Sequence, residues 1–85
     1  MPASVHSDAY STVVTYLIEL RRAQGVHQSE LARRLGKHQQ FVSKVENRVR
    51  RLDVVEFYAY VKALGVDPNQ AILKAYAQLP EDVGI

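Results

Sequence analysis

An all-α bundle of five short helices is the fold that this chain of 85 residues predicts. Three features point there. Apolar residues recur at three- and four-residue spacing, which lines one face of a helix. A glycine, a proline or a cluster of polar and basic residues follows each such stretch. Strand-like alternation is absent, as are internal repeats and low-complexity segments. The length fits one small domain, which buries only about 60% of the surface its unfolded chain exposes.

The elements follow in order. Residues 1–6 read as a loose tail, 7–79 as the folded domain and 80–85 as a second tail. Ser7 or Asp8 caps a first helix that runs to about Gln24, with Val13, Leu17 and Leu20 as its core stripe. Gly25 stops it. Gln28 to Leu35 forms a second helix with Leu31, Ala32 and Leu35 on one face, and Gly36 ends it. Gln39 to about Asn47 forms a third, with Val42, Val45 and Glu46 inward. Arg48 to Leu52 is a basic loop. Asp53 and Glu56 have the spacing of a capping box, opening a fourth helix that runs to Leu64 and stops at Gly65. Asp67 to Gln70 repeats that spacing, with Pro68 at the first helical position of a fifth helix ending near Gln78.

Size and composition exclude much. A Rossmann or barrel enzyme needs more chain. With 47% hydrophobic and 24% charged residues the composition is that of an ordinary globular domain. Cysteine is absent, which argues for a reducing, cytoplasmic setting and against a cysteine-based zinc site. His6, His27 and His38 match no common metal motif. No apolar run approaches the roughly 18 residues of a membrane span, and the first ten residues carry no signal-peptide pattern. Paired carboxylates near a histidine, a nucleophile motif and a phosphate loop are all missing. The expectation is therefore no enzyme, no cofactor, no metal, no membrane and no small-molecule ligand.

The net charge of +2 conceals a strong asymmetry. From Arg21 to Arg51 there are nine basic residues against two acids, a local charge of +7. The rest of the chain holds two lysines against seven acids, a charge of −5. A basic centre between acidic flanks suggests a polyanion-facing surface; the alternative is a solvated basic face.

The second and third helices carry the functional signal. A tight glycine-containing turn, Gly36-Lys37-His38, joins them in the layout of a helix-turn-helix. A helix of eight or nine residues is roughly 12–14 Å long and enters a major groove about 12 Å wide. Gln39, Gln40, Ser43 and Lys44 point outward. Glutamine pairs with adenine, lysine with guanine acceptors, and serine with either. The two glutamines stand at the helix start, where such readers touch bases.

Taken together, Gln28-Ser29-Glu30-Leu31-Ala32-Arg33-Arg34-Leu35-Gly36, Gln39 to Ser43, Glu46, and Leu64-Gly65-Val66 before Asp67-Pro68 resemble the lambda-repressor-like (Cro/phage repressor, XRE) helix-turn-helix family. The resemblance spans about Leu17 to Leu73. It implies a five-helix domain that binds double-stranded DNA, usually as a dimer on two-fold related half-sites. It implies that Gln39, Gln40, Ser43 and Lys44 lie at or near base edges. It implies that Gln28 touches a phosphate and braces Gln39, and that Asn47, Arg48, Arg50 and Arg51, with Lys37 and His38, face the DNA backbone. It further implies a partly buried ion pair between Arg21 and Glu46 that places the third helix; the alternative for Arg21 is another phosphate contact.

Three departures from the family stand out. His27 and His38 occupy capping places where Ser or Thr is common, and imidazole caps less well. Arg48 stands where glycine commonly turns left-handed, so either Arg48 takes a positive φ or Asn47 turns one residue early. Phe41 is large for its place, and either packs beside Val45 or touches a thymine methyl or sugar.

Apolar side chains exceed what one small core needs. Tyr10, Val14, Tyr16 and Ile18 on the first helix and Ile72, Leu73, Tyr76 and Leu79 on the fifth predict a partner surface. A homodimer through the fifth helix covers it and spaces two recognition helices by about 34 Å. The expected function is a cytoplasmic, nucleoid-associated transcription regulator of prokaryotic or phage type, controlled by concentration, a partner protein or degradation. The alternative is an antitoxin-like module that holds a protein partner with its first and fifth helices.

Overall fold

The computed structural model describes residues 8–84. Five helices follow one another: α1 (Asp8–Ala23), α2 (Gln28–Leu35), α3 (Gln39–Glu46), α4 (Val54–Ala63) and α5 (Pro68–Ala77). The expected tail 1–6, a cap at Ser7 and the last residue of the second tail lie outside the described residues. Among the described residues there is no strand. α2 packs on α3 and α4, α1 on α3 and α5, and α4 on α5, within extents of 38 × 25 × 21 Å.

Four of the five helices end in the same way. After α1, the Gly25 N–H donates to Arg22 O and the Val26 N–H to Arg21 O. The same two bonds recur after α2 at Gly36 and Lys37, and after α4 at Gly65 and Val66. This is the Schellman closure, which needs a left-handed residue at its centre. Glycine supplies it three times. After α3, Arg48 N–H donates to Val45 O at 3.0 Å and Val49 N–H to Lys44 O at 2.8 Å, and the central residue is Arg48 at φ 60°. Asn47 stays at φ −87°. Of the two alternatives read from the sequence, Arg48 takes the left-handed turn.

Helix starts differ in quality. Asp53 accepts from the Glu56 N–H at 2.7 Å while the Glu56 carboxylate accepts from the Asp53 N–H at 3.0 Å, a complete capping box. Asp67 caps α5 through the Asn69 N–H, with Pro68 at the first position. His27 and His38 have the extended backbone of N-caps, yet their imidazoles make no capping hydrogen bond.

The core is small and draws on every helix. Leu17, Leu31, Val42, Val45, Tyr60 and Val61 are buried, and Leu20, Phe41, Leu52 and Phe57 pack against them. The first helix corrects the reading of its apolar surplus. Val14 and Tyr16 are only 1% and 8% exposed, and Tyr10 and Ile18 are half-buried. The domain absorbs these residues itself, so α1 offers no large unpartnered face. α5 behaves otherwise. Ala71 and Ala75, one turn apart, face the core at 0% exposure. Their small side chains let α5 pack closely, and its larger side chains Leu73 and Tyr76 face outward at 67% and 60% exposure. Ile72 and Leu79 are half-buried.

The caps give a paired prediction. Asp53→Ala lowers stability by about 1 kcal/mol through the lost cap, about 4–8 °C in Tm for a domain of this size. His27→Ser raises it, because serine supplies the bond that imidazole does not. Thermal melts of the two variants check both signs.

Candidate nucleic-acid interface

α3 is held by its last residue. The Glu46 carboxylate is 6% exposed and faces Arg21, which is 7% exposed. Arg21 Nε donates to Oε2 at 2.7 Å and Nη2 to Oε1 at 2.9 Å, a two-pronged ion pair. Tyr60 Oη donates to Oε2 at 2.7 Å, and Gln28 Nε2 to Oε1 at 2.8 Å. Arg21 Nη1 also donates to the Val26 carbonyl at 2.8 Å. Thus α1, α2, α3 and α4 converge on one carboxylate. Among the described residues no buried side-chain nitrogen or oxygen lacks a partner. Burial alone would raise the Glu46 carboxyl, but the hydrogen bonds from Arg21, Gln28 and Tyr60 and the charge of Arg21 outweigh it and leave the group below its ordinary 4.5. Burial, and then the Glu46 hydrogen bond, pushes the Tyr60 hydroxyl far up, so it remains a donor.

The opposite face of α3 is open. Gln39, Gln40, Lys44 and Asn47 are exposed and Ser43 is half-buried. Gln40, Lys44 and Asn47 fall at i, i+4 and i+7, a single row along the helix. Ser43 lies beside that row, and its hydroxyl accepts from Asn47 Nδ2 at 3.3 Å. Val42 and Val45 anchor the inner face. Lys37 and His38, both exposed, enter α3 from its N-terminal side. The Gln28 amide donates to Glu46, a bond that the resemblance does not imply.

Several basic side chains are engaged within the protein. Of the nine between Arg21 and Arg51, four meet carboxylates: Arg21 on Glu46, Arg33 and Arg34 on Glu30, and Arg50 on Glu56. Arg33, then Arg34, holds the exposed Glu30 carboxyl down at about 2. Arg34 also donates to the Ala63 carbonyl at the end of α4. Arg51 stacks on Tyr10, its guanidinium carbon 4.6 Å from the ring centre, and Tyr10 Oη accepts from the Leu52 N–H at 3.0 Å. Phe41 is half-buried in the core's margin, with Lys37 Nζ 5.5 Å and Arg50 Cζ 4.7 Å from its ring centre. Cations against an aromatic face are attracted by its quadrupole.

Three contributors escaped the sequence reading. Tyr60 is the third group on the Glu46 carboxylate; a buried tyrosine needs a hydroxyl partner, but nothing in a 14-residue separation names it. Glu56, a capping residue by its spacing from Asp53, also binds Arg50. Val54, Val55 and Tyr58 form an exposed apolar strip at the start of α4. Among the described residues no group of three His, Cys, Asp or Glu is placed to hold a metal. Among the described residues no helix is long and apolar enough to cross a membrane.

Comparisons place this geometry. The helix-turn-helix family pattern matches residues 17–78. An XRE-family like protein from Pseudomonas syringae pv. tomato is 46% identical, with a TM-score of 0.79 over 85% of this chain and 88% of that one. Two more distant structures share the fold. The restriction-modification controller protein C.Esp1396I, as a point variant, is 22% identical at a TM-score of 0.76, over 85% of this chain and 91% of its own. The clp gene regulator ClgR from C. glutamicum is 18% identical at 0.72, over 87% and 96%. No curated protein matches the chain.

The buried carboxylate sets an acid limit. Because the folded Glu46 value lies below 4.5, its contribution is complete above the ordinary carboxylate range and is lost as pH falls through the lowered value. Glu30 and Glu56, both near 2, act in the same direction. Urea midpoints are expected to be level from pH 7 to 5 and to drop steadily below pH 4.5. A midpoint that holds or rises below pH 4.5 contradicts this.

Proposed function

The chain belongs to the XRE-type helix-turn-helix family, and we propose that it is a sequence-specific DNA-binding transcription regulator that lays α3 in the major groove. One observation carries the reading. α3 is fixed on its inner side by a carboxylate that four helices share, and it leaves Gln40, Lys44 and Asn47 in one open row, with Gln39 and Ser43 beside them. Gln39, Gln40, Ser43 and Lys44 read base edges, glutamine toward adenine and lysine toward guanine. Gln28, Lys37, His38, Asn47, Arg48 and Arg51 lie toward the sugar-phosphate backbone, Gln28 while still donating to Glu46. Backbone contacts set affinity and salt sensitivity, and base contacts set preference.

Arg48 supports the assignment through its cost. A left-handed backbone is unfavourable by roughly 1–2 kcal/mol for a residue with a Cβ, and three equivalent helix ends use glycine. A strained residue beside a binding face is commonly retained for function. A cation at this position has that use, because it stands at the end of the row that faces the groove.

The working unit is a homodimer. α5 turns Leu73 and Tyr76 outward and keeps alanines inward, with Ile72 and Leu79 at the margin of the patch. A two-fold pairing of this face covers the patch and presents two copies of α3 about one DNA turn, roughly 34 Å, apart. The same patch supports the second reading, a module that holds a different protein, although α1 no longer contributes to it. A phage-type repressor, a restriction-modification controller and an autoregulating antitoxin all fit the reading, and the genes beside its own separate them. The protein acts in the cytoplasm, with the nucleoid.

Selection of bound duplexes from a random pool, read at two salt concentrations, is expected to return a two-fold symmetric motif. Weak binding that salt erases, with no motif, contradicts sequence-specific regulation. Gln40→Ala then relaxes preference at one position of each half-site. Arg48→Gly raises stability by about 0.5–1 kcal/mol while it lowers the salt slope of binding by about one. Tighter binding by this variant would remove Arg48 from the backbone contacts.

A further inference from the structure

A second set of contacts fastens the first turn of α3, at the margin of the core. Phe41, in the first turn of α3, has Lys37 on one approach and the Arg50 guanidinium on another. Arg50 Nη1 and Nη2 donate to the two oxygens of Glu56 at 3.0 and 2.8 Å, and Nη1 also donates to the Arg51 carbonyl at 2.9 Å. Glu56 Oε1 receives the Asp53 N–H in the capping box of α4 as well. The chain of contacts runs from Phe41 on α3, through Arg50 in the loop, to the first turn of α4. The side chains of Lys37, Phe41 and Glu56, with Leu35 and Ala59, border a pocket of about 170 Å³. That is below the several hundred Å³ of ordinary ligand sites, and it marks the seam between α2, α3 and α4.

We propose that Arg50 is a positioning residue which locks the recognition helix to α4 through Phe41 and Glu56, and that its charge is directed inward rather than at a DNA phosphate. The inference rests on the reading of α3 as the DNA-contacting helix. It revises the role that the family resemblance gave to Arg50. Arg50 has three of its five N–H donors on Glu56 and the Arg51 carbonyl and one face of its guanidinium on an aromatic ring, so most of its bonding capacity is directed inward. The Glu56 carboxyl is held at about 2, first by the hydrogen bonds from Arg50 and then by the Asp53 N–H, so the pair stays ionised throughout the physiological range. The pair is partly exposed, at 41% for Arg50 and 27% for Glu56. Exposed pairs are ordinarily weak, but two-pronged geometry combined with stacking is the exception. Loss of the lock frees the first turn of α3, which carries Gln39 and Gln40 and whose His38 cap makes no side-chain bond.

The test uses the whole chain and the duplex most enriched by the wild-type protein from a random pool, followed by fluorescence anisotropy across a salt series. Arg50→Lys keeps the charge and loses the fork; Glu56→Gln keeps the capping side chain and loses the ion pair. Each is expected to weaken binding by about threefold to fivefold, the upper range for such a pair, with the wild-type salt slope. The double variant is expected to bind no worse than either single variant. A phosphate contact behaves in the opposite way: Arg50→Lys binds as wild type does, and Glu56→Gln, which removes an acid and releases Arg50, binds more tightly. Either result overturns the proposal. The Phe41 ring and α3 amide resonances are recorded in the same variants without DNA. Similar displacements in both variants support the lock even where no duplex is retained by the wild-type chain, a result that would defeat the DNA-binding reading alone. A Phe41 ring that does not move overturns the lock.

Discussion

The carboxylate of Glu46 is the constraint on which the rest of the arrangement depends. An acid in the last turn of a helix opposes the helix dipole, and burial adds a desolvation cost of several kcal/mol. Both are offset only because Arg21, Gln28 and Tyr60 bring their donors to the same two oxygens. Such a cluster adds little net stability over a well-packed apolar alternative, yet removal of one charged partner costs about 3–5 kcal/mol. Its consequence is placement. An eight-residue helix is too short to be stable alone, and α3 contributes only Val42 and Val45 as fully buried apolar side chains. The direction in which its open face points is therefore set by where Glu46 is bound.

The same helix has two unlike sides. One side of α3 is occupied by valines and the shared carboxylate, and the other keeps its polar side chains open. At its end the chain uses arginine where three similar turns use glycine, accepting a strained backbone next to the exposed row. At its start, histidine stands where a better cap was available. Local rules are broken on the side that faces outward and obeyed at the Asp53 capping box and the glycine closures, which is the pattern expected when function sits on a small scaffold.

Legibility in the sequence followed the range of the interactions. The five helices were readable to within a residue or two because capping boxes, proline starts and glycine stops act over three to six residues. Arg21 and Glu46, 25 residues apart, came from a family resemblance, since no local rule pairs them. Tyr60 stayed hidden because a buried hydroxyl does not announce its partner. The +7 of the central segment overstated the charge available to a ligand, because Glu56, which neutralises Arg50, lies outside that segment. The apolar surplus on α1 vanished into the core, because helix periodicity does not tell how wide a face the neighbours will cover. On α5 the large apolar side chains were visible, but which of them stay outside depended on the helix packing through Ala71 and Ala75.

Amide hydrogen exchange on Tyr60→Phe tests the central claim most directly, because this variant removes one hydroxyl and leaves the charges and the ring in place. If the Glu46 carboxylate positions α3, the amides from Val42 to Asn47 will exchange markedly faster, while those in the middle of α1 and α5 will keep wild-type protection. Equal acceleration across all five helices, or none in α3, would mean that valine packing alone holds the helix and that the shared carboxylate is dispensable for its placement.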